Sequence, residues 1–277
     1  MRLGAPLPDP VSDPALWVAA VKAKGYRAAY CPLDGSEDFA TIRAFAQAAE
    51  QAGIVIAETG AWSNPLSPVE SIRSSAMEKC EIMLALADEI GARCCVNIAG
   101  SLGKKWDGPH PADLTAETFD LIVETTRAII DAVRPKRTYF TLEPMPWMYP
   151  DSIESYERLI RAIDRPQFGV HFDPVNLINS PQRYFFNGNF ILDFIAHLGS
   201  EIRSVHAKDI LLQDNLTVHL DEVRPGLGGL DYRTLLRGLD RLEPDLPLML
   251  EHLPQASEYD LAAAYVRGVA EDVGVVL

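Results

Sequence analysis

Long apolar runs are missing from this chain of 277 residues, and cysteine and positive charge are scarce. No apolar run approaches the roughly 20 residues that span a bilayer, and the N-terminal segment lacks the apolar core of a signal peptide. The four cysteines, of which Cys94 and Cys95 are adjacent, do not form a disulfide framework. We therefore expect a cytoplasmic protein with reduced thiols and no membrane partner.

The scarcity of positive charge bears on the class of partner. Lys and Arg number 25 against 39 Asp and Glu, which gives a formal net charge of −14. Proteins that bind nucleic acid neutralise phosphates with a basic surface, and a chain this acidic repels a polyanion. We therefore expect no nucleic-acid partner.

Short apolar, β-branched runs alternate along the chain with longer segments of helical period. The runs predict eight strands: Leu3–Ala5, Ala28–Leu33, Ile54–Thr59, Arg93–Ala99, Thr138–Pro144, Phe168–Val175, Ile202–Asp209 and Leu246–Leu253. Helix starts are predicted at Asp13-Pro14 and at Ser67-Pro68-Val69-Glu70, a capping box with proline at the first helical position. Eight strands spaced by about 35 residues favour an α/β fold, a (β/α)8 TIM barrel, over an open doubly wound sheet.

The glycine pattern and the absence of linkers support one barrel. No Gly-x-Gly-x-x-Gly follows the first strand, where a dinucleotide-binding sheet carries its phosphate loop. No linker or low-complexity segment divides the chain. We therefore expect residues 1–277 to form a single domain.

Four consecutive predicted strands end in residues that can bind a metal. Functional side chains of a TIM barrel lie at the C-terminal ends of its strands, and the fifth to eighth strands end in Glu143, Asp173, His206 and Glu251. Carboxylates in apolar strands are costly unless they are paired, hydrogen-bonded or bound to a metal, and three of them repel one another without a cation. The pattern favours a divalent metal over the alternative, in which Lys208 or Arg224 neutralises the carboxylates in salt bridges.

Other side chains near the predicted mouth are candidates for substrate contacts. Glu58 ends the third strand, and a loop-anchoring role is its alternative. His171 shares a strand face with Asp173, and a core or supporting histidine is its alternative. Lys208 is a candidate for a substrate hydroxyl, carboxylate or phosphate, and Arg224 for an anionic substrate. We expect His252, which alternates with Glu251, to face outward.

Three tryptophans and two long segments also fall near the predicted mouth. Trp62, Trp106 and Trp147 lie in strand-to-helix loops, where an indole can stack on the carbon face of a sugar, and Trp147 is the best placed. Ordinary loop packing is the alternative for each. The segments 99–115 and 209–230 exceed the usual loop length in such folds, which predicts binding loops.

Four segments resemble signatures of the xylose-isomerase-like superfamily of sugar isomerases and epimerases, which also includes endonuclease IV. In chain order, and at these strand ends, they are HFDPVN, VHAKD, RPGLGGLDY and LMLEH. The resemblance implies one divalent ion bound by Glu143, Asp173, His206 and Glu251. Three carboxylates favour manganese or magnesium, with cobalt or zinc as alternatives. The resemblance further implies that Glu143 and Glu251 transfer the proton of a small ketose or related sugar through a metal-bound enediolate.

Two departures from the family pattern separate the alternatives. Ketose 3-epimerases commonly carry a histidine three residues after the strand-six aspartate, where this chain has Asn176, which can hydrogen-bond a substrate hydroxyl. The Asp-x-His pair of endonuclease IV is absent from segment 220–225, which argues against DNA repair. An inosose-type dehydratase on the same metal site and a non-catalytic sugar-binding barrel stay open. The sequence also leaves open which sugar is bound, whether it is phosphorylated, and whether the chain forms a homo-oligomer.

Overall fold

Parallel strands form the centre of the protein, and a small antiparallel hairpin lies beside them. The computed structural model describes all residues from 1 to 277. In chain order the strands are β1 (Arg2–Gly4), β2 (Ala28–Ala29), β3 (Val55–Ile56), β4 (Glu58–Gly60), β5 (Cys94–Asn97), β6 (Tyr139–Leu142), β7 (Phe168–Phe172), β8 (Ile202–Ala207), β9 (Asp209–Leu212), β10 (Leu220–Val223) and β11 (Pro247–Leu250). Strands β9 and β10 form the hairpin, and the other nine form the parallel sheet.

The parallel sheet closes into a barrel through β3 and β4. Strand β3 pairs with β2, strand β4 pairs with β5, and only Ala57 separates β3 from β4. Ala57 continues both ladders, because its N–H donates to the carbonyl of Ala29 at 2.8 Å and its carbonyl accepts from the N–H of Cys94 at 3.2 Å. At the other side β1 pairs with β11, and β11 pairs with β8. Counted with β3 and β4 as one strand, the barrel has the eight strands that the sequence predicts.

Helices surround the barrel, and each long helix packs on the next, from α1 against α2 to α9 against α10, with α5 against α8. They are α1 (Pro14–Ala23), α2 (Phe39–Ala52), α3 (Glu70–Ile90), α4 (Ala116–Val133), α5 (Ile153–Ile163), α6 (Pro174–Leu177), α7 (Pro181–Phe185), α8 (Asn187–Leu198), α9 (Tyr232–Leu239) and α10 (Ala256–Val273). One apolar cluster joins strand and helix side chains, such as Leu248 of β11, Phe45 of α2 and Phe194 of α8. None of the helices has both the length and the apolar composition of a membrane span.

The two predicted helix starts differ in outcome. Asp13 caps α1, since its carboxylate accepts a backbone N–H of the first turn at 2.9 Å and Pro14 is the first helical residue. The capping box at Ser67 is wrong, because α3 begins at Glu70 after Val69. The hydroxyl of Ser67 accepts the N–H of Val69 at 3.2 Å instead. Serine side chains stabilise such turns as readily as they cap helices, and here the turn precedes the helix.

Two buried carboxylates organise the long segments at the C-terminal end of the barrel. In segment 99–115, Asp113 accepts from the Ser101 hydroxyl at 2.7 Å and from the Leu102 N–H at 2.9 Å. In segment 209–230, Asp209 accepts four backbone N–H groups at 2.8–3.0 Å, from Ile210, Gly226, Gly228 and Leu230. Charge-assisted bonds to backbone N–H groups are stronger than neutral ones, so both loops are held over the end of the barrel where the strands terminate.

Candidate functional site

The four residues predicted as metal ligands meet at the C-terminal end of the barrel. Glu143 follows β6, Asp173 follows β7, His206 lies in β8 and Glu251 follows β11. All four are buried, and one ligand atom of each lies within 4.8 Å of the others. Four barrel strands that neighbour one another in the sheet thus place three carboxylates around one imidazole.

His206 faces the carboxylates with one ring nitrogen and Glu58 with the other. Its Nδ1 atom lies 2.9 Å from Glu251 Oε1, 3.3 Å from Glu143 Oε1 and 3.7 Å from Asp173 Oδ2. Its Nε2 atom lies 3.5 Å from Glu58 Oε2. Nδ1 is therefore the nitrogen available to a cation among the carboxylates, and it can bind one only when the ring proton is on Nε2.

Glu58 and His171 lie in the barrel interior and do not line the cavity described below. Glu58 Oε1 accepts from the Ser204 hydroxyl at 2.7 Å, and its Oε2 lies 3.5 Å from Nε2 of both His171 and His206. Burial alone would raise the pKa of Glu58, but the charges of His206 and His171 lower this pKa below its ordinary value. The charge of the ionised Glu58 thus favours a proton on His206 Nε2 and supports the orientation of that ring.

Lys208 reaches into the middle of the carboxylates. Its Nζ atom lies 2.5 Å from Glu251 Oε1, 2.8 Å from Asp173 Oδ2 and 3.5 Å from Glu143 Oε1. Its side chain is buried. Burial lowers the pKa of Lys208, but the surrounding carboxylates, Asp173 first, raise this pKa well above its ordinary value. The salt-bridge alternative is therefore correct for Lys208, whose ammonium group lies among the carboxylates.

The residues present fit a divalent cation. Three carboxylates opposed by one ammonium leave two negative charges when His206 is neutral. Asp173 Oδ2 and Glu251 Oε1 lie close to Lys208 Nζ, but neither contact has the angles of a hydrogen bond, so both oxygens are buried acceptors without a hydrogen-bond partner. Three carboxylate groups and one imidazole nitrogen form a donor set that suits hard divalent ions and also zinc.

The two glutamates of the cluster differ in pKa. Burial raises the pKa of Glu143, the ammonium of Lys208 opposes this, and the charge of Glu251 adds to it, so that the pKa of Glu143 is raised overall. Burial also acts to raise the pKa of Glu251, but His206 and Lys208 lower this pKa to about 2. Glu251 is therefore ionised at neutral pH, whereas Glu143 resists ionisation.

Asn176 contacts two members of the cluster, and Arg224 contacts none. The Asn176 Nδ2 atom donates to Glu143 Oε1 at 3.0 Å, and its backbone N–H donates to Asp173 Oδ1 at 3.0 Å. The second bond forms because Asp173 is the N-cap of α6. Arg224 does not line the cavity, and its Nε atom lies 2.8 Å from Glu258 Oε2. The structure thus brings Asn176 into the site and leaves Arg224 outside it.

A cavity of about 940 Å³ adjoins the cluster. Glu143, Asn176, Lys208 and Glu251 line it beside further polar residues such as Asp107 and Glu222. All three tryptophans from the strand-to-helix loops line the same cavity: Trp62, Trp106 and Trp147. The indole N–H of Trp147 donates to the carbonyl of Asp107 at 3.0 Å, which joins the loop after β6 to the loop after β5. The volume falls within the range of pockets that enclose small-molecule ligands.

Three further residues line the cavity that the sequence analysis did not place there. Glu222 of the hairpin has Oε2 3.6 Å from Lys208 Nζ and Oε1 3.1 Å from His252 Nδ1. Tyr30 follows β2 and also lines the cavity. The prediction that His252 faces outward is wrong, because its φ of 56° ends the strand geometry directly after β11 and turns the imidazole to the cavity. The alternation rule holds only while the backbone stays extended.

A family model described as a xylose isomerase-like TIM barrel matches residues 18–269. The chain belongs to this xylose isomerase-like family. Both the predicted barrel and the family resemblance are therefore confirmed. No curated protein matches the xylose isomerase-like chain with significant sequence similarity.

Solved structures of other proteins share the fold of this xylose isomerase-like barrel. They include a probable 3-DHS dehydratase from Bacillus anthracis, with 16% identity, a TM-score of 0.71 and coverage of 98% of this chain and 99% of that chain. D-psicose 3-epimerase from Clostridium cellulolyticum H10, with D-tagatose, has 14% identity, a TM-score of 0.70 and coverage of 100% of both chains. A xylose isomerase-like protein from Mycobacterium smegmatis, in complex with magnesium, has 15% identity, a TM-score of 0.68 and coverage of 98% and 96%. At these identities the likeness shows the fold alone.

Proposed function

We propose that this barrel is a divalent-metal-dependent isomerase or epimerase of a small ketose or related sugar. The observation that carries the proposal is the convergence of Glu143, Asp173, His206 and Glu251 beside a cavity at the C-terminal end of the barrel. Active sites of TIM barrels lie at this end. The D-psicose 3-epimerase with the same fold, named for its action on a ketose, supports the substrate class.

The proposed cofactor is one divalent ion, bound through the three carboxylates and His206 Nδ1. When bound, such an ion polarises a ketone oxygen and its neighbouring hydroxyl, which makes the adjacent carbon-bound proton more acidic. Three carboxylates favour Mn²⁺ or Mg²⁺, with Co²⁺ or Zn²⁺ as alternatives. The similar protein from Mycobacterium smegmatis binds magnesium, which supports a hard ion.

Glu251 and Glu143 divide the proton transfer between them. Glu251, with its pKa lowered to about 2, is the base that takes the proton from the carbon next to the ketone. Glu143, whose carboxyl group adjoins the same cavity, returns a proton to the resulting enediolate. Return to the same carbon from the opposite face gives an epimer, and return to the neighbouring carbon gives an isomer. One proton leaves the sugar and one arrives, and the two glutamates regain their starting protonation states by exchanging protons with water. In the isomerisation a hydroxyl proton also moves to the former carbonyl oxygen, so the composition of the sugar is unchanged.

Substrate contacts are assigned to the predicted residues that reach the cavity. Lys208 and Asn176 offer hydrogen-bond donors next to the glutamates, and Trp147 offers a flat apolar face. Glu58 and His171 do not reach the cavity, so we assign them to the support of His206 and not to the substrate.

Proton exchange followed by NMR tests the proposal. The protein, reconstituted with Mn²⁺ or Mg²⁺, is incubated in D2O with a panel of ketoses, ketose phosphates and inososes. We expect deuterium at a carbon next to the ketone of at least one compound, and we expect Glu143→Gln and Glu251→Gln to lose turnover by about 10²-fold or more because each removes a proton carrier. Glu124→Gln, at an exposed position of α4, is the matched control. Deuterium exchange at the rate of the unaltered protein by Glu143→Gln or Glu251→Gln contradicts the two-carboxylate mechanism.

A second candidate is an inosose-type dehydratase that uses the same site. The dehydratase among the structural neighbours favours it. In that reaction the enediolate expels a β-hydroxyl group as water instead of taking up a proton. The same NMR experiment separates the two, because a dehydratase gives an unsaturated product, whereas an isomerase or epimerase gives a product of unchanged composition.

A third candidate is a non-catalytic sugar-binding barrel, and the contacts of Lys208 with the carboxylates favour it. Such a protein needs no metal. Metal analysis of the purified protein separates it from both enzymes, which require one stoichiometric divalent ion for their reaction.

A further inference from the structure

The cavity is larger than a free monosaccharide requires. Its volume of about 940 Å³ lies near the upper end of the range of about 300–1,000 Å³ for pockets that enclose drug-sized ligands. The groups that we assign to proton transfer occupy one part of the wall. Much of the rest is apolar and is built by Leu7, Val11, Trp62, Trp106, Met145 and Trp147. A sugar ring at the glutamates therefore leaves a second, apolar volume next to it.

The apolar part of the wall is rich in tryptophan. Trp62 follows β4, Trp106 follows β5 and Trp147 follows β6, so three successive loops each contribute one indole. Trp62 and Trp106 are each 37% exposed, which leaves large aromatic surfaces facing solvent in the cavity. The bond from Trp147 to the Asp107 carbonyl holds one of these rings in place. Exposed contiguous apolar surface in a cleft is typical of a ligand-binding surface, and aromatic rings favour flat, apolar ligand groups.

The charges on the wall disfavour an anionic substrate. Two of the cations there lie beside carboxylates: Lys105 Nζ lies 3.2 Å from Asp107 Oδ1, and His252 Nδ1 lies 3.1 Å from Glu222 Oε1. Lys208 is surrounded by carboxylates, and no arginine lines the cavity. A phosphate or carboxylate group is bound by cationic donors, whereas the wall carries five carboxylates that repel it: Asp9, Asp107, Glu143, Glu222 and Glu251.

We infer that the substrate is an uncharged glycoside of a keto-sugar, with an aromatic aglycone that lies against Trp62, Trp106 and Trp147. The inference rests on the proposed function, which places the ketone of the sugar at Glu143 and Glu251. It adds that the apolar part of the cavity is an aglycone subsite, and that neither a free sugar nor a sugar phosphate is the preferred ligand.

Calorimetric titration of the Mn²⁺-reconstituted protein tests the subsite. The probes are phenyl glycosides of D-glucose, D-galactose and D-mannose, in both anomers and with one ring hydroxyl oxidised to a ketone, the matching methyl glycosides, and the three hexose 6-phosphates. We expect at least one phenyl glycoside to bind about tenfold more tightly than its methyl partner, because burial of the ring removes apolar surface from water. Trp106→Ala and Trp62→Ala should each weaken phenyl glycoside binding several-fold more than they weaken methyl glycoside binding. Phe185→Ala, at an aromatic residue that is 68% exposed and outside the cavity wall, is the control and should change neither.

Two results would overturn the inference. One is equal affinity for the phenyl and methyl members of every pair, and the other is tighter binding of a hexose 6-phosphate than of every phenyl glycoside. The proposed function is judged separately by proton exchange in D2O. Exchange of a free ketose without any phenyl preference rejects the subsite alone. A phenyl preference that disappears in Trp106→Ala, without exchange of any ketose, keeps the subsite and rejects the proposed reaction.

Discussion

Glu58 does not reach the cavity, yet it faces the second ring nitrogen of His206. The first nitrogen of this ring, Nδ1, faces the carboxylates and can bind a metal only when the ring proton is on Nε2. The Ser204 hydroxyl holds Glu58 Oε1, and Oε2 is left to the two histidines. A buried carboxylate in this position supports a histidine ligand in the way known for many metal sites.

The substitution Glu58→Gln tests this support. It keeps the size of the side chain and removes the charge that favours a proton on His206 Nε2. We expect the affinity for Mn²⁺, measured by isothermal titration calorimetry, to fall by about 10–100-fold. Glu124→Gln, which removes an exposed carboxylate, should leave the affinity unchanged. Unchanged Mn²⁺ binding by Glu58→Gln would show that His206 does not depend on Glu58.

Lys208 and a divalent ion are alternative cations for the same carboxylates. Replacing Lys208 by methionine leaves three buried carboxylates with less compensation, so we expect the free energy of unfolding in EDTA to fall by about 3–5 kcal/mol. Saturating Mn²⁺ should raise the free energy of unfolding of Lys208→Met by more than it raises that of the unaltered protein. Urea unfolding with and without Mn²⁺ measures both effects, with Lys104→Met, at an exposed lysine, as the control. Equal stabilisation by Mn²⁺ in both proteins contradicts competition between the two cations.

The sequence predicts Glu143, Asp173, His206 and Glu251 well because each lies at the end of a recognisable strand. Lys208 was predicted only as an alternative counter-ion beside Arg224, because only the curvature of the barrel decides whether a lysine after β8 reaches inward. The predicted direction of the His252 side chain was wrong for a local reason, because the left-handed backbone of His252 itself turns the side chain away from the expected side. Residues whose direction depends on a turn, and not on a strand, escape the alternation rule.

Among the helices, α5 holds the strands that carry two of the candidate ligands. The hydroxyl of Tyr156 lies 2.7 Å from the carbonyl of Leu142, at the end of β6, and 2.7 Å from the carbonyl of His171, in β7. Glu143 directly follows the first of these carbonyls. One phenol therefore joins two strand ends next to the four candidate metal ligands.

Tyr156→Phe removes this link while it keeps the ring. Because two buried carbonyls share the lost donor, we expect the free energy of unfolding to fall by about 1–3 kcal/mol and the affinity for Mn²⁺ to fall with it. Urea unfolding and calorimetric titration measure the two quantities. Tyr139→Phe, at a tyrosine whose hydroxyl makes no hydrogen bond within the chain, is the control. A stability equal to that of the unaltered protein would show that the hydroxyl does not hold the strand ends.

At the scale of elements, strand positions were easier to predict than helix starts. Apolar runs set the eight strands because each is buried on both faces of the barrel wall. The start of α3 was misplaced because Ser67 can stabilise a turn or cap a helix, and local sequence does not choose between these roles. The hairpin of β9 and β10 was predicted only as a long loop, since its fixed shape depends on the distant bonds from Asp209 to residues 226–230.

Across the whole molecule, burial protects the thiols of Cys80, Cys94 and Cys95, and Cys31 is partly buried at the cavity wall. None forms a disulfide. Burial raises the pKa of Cys31 to about 12 and of Cys80 to about 11, and it raises the pKa values of Cys94 and Cys95 further. The thiolate is the reactive form, so the folded chain should react slowly with thiol reagents at neutral pH.

Titration with Ellman's reagent at pH 8 measures this protection. We expect slow reaction of the folded protein and rapid reaction of four thiols in urea. Because the thiol pKa values are higher in the folded than in the unfolded chain, their contribution to stability is complete below about pH 8.5 and is lost as the pH rises above it. Rapid labelling of Cys94 or Cys95 in the folded protein would contradict the burial of both thiols in the barrel wall.

The net charge of −14 has a local counterpart in the site, where carboxylates outnumber the cations that line the cavity. Composition predicted an acidic globular protein, and the spacing of apolar runs predicted a closed barrel. The sequence placed three tryptophans in loops near the mouth, but it could not predict the volume of the cavity or that all three share its wall, because these depend on how loops from different strands fold over one another. The proposed substrate class therefore comes from tertiary structure.

X-ray diffraction from crystals grown with Mn²⁺, collected at a wavelength where manganese scatters anomalously, tests the metal site most directly. We expect one anomalous peak bounded by carboxylate oxygens of Glu143, Asp173 and Glu251 and by His206 Nδ1, with Lys208 Nζ moved away from the carboxylates. A map without a peak at this position, with Lys208 still between the carboxylates at saturating Mn²⁺, would contradict the proposed metal centre.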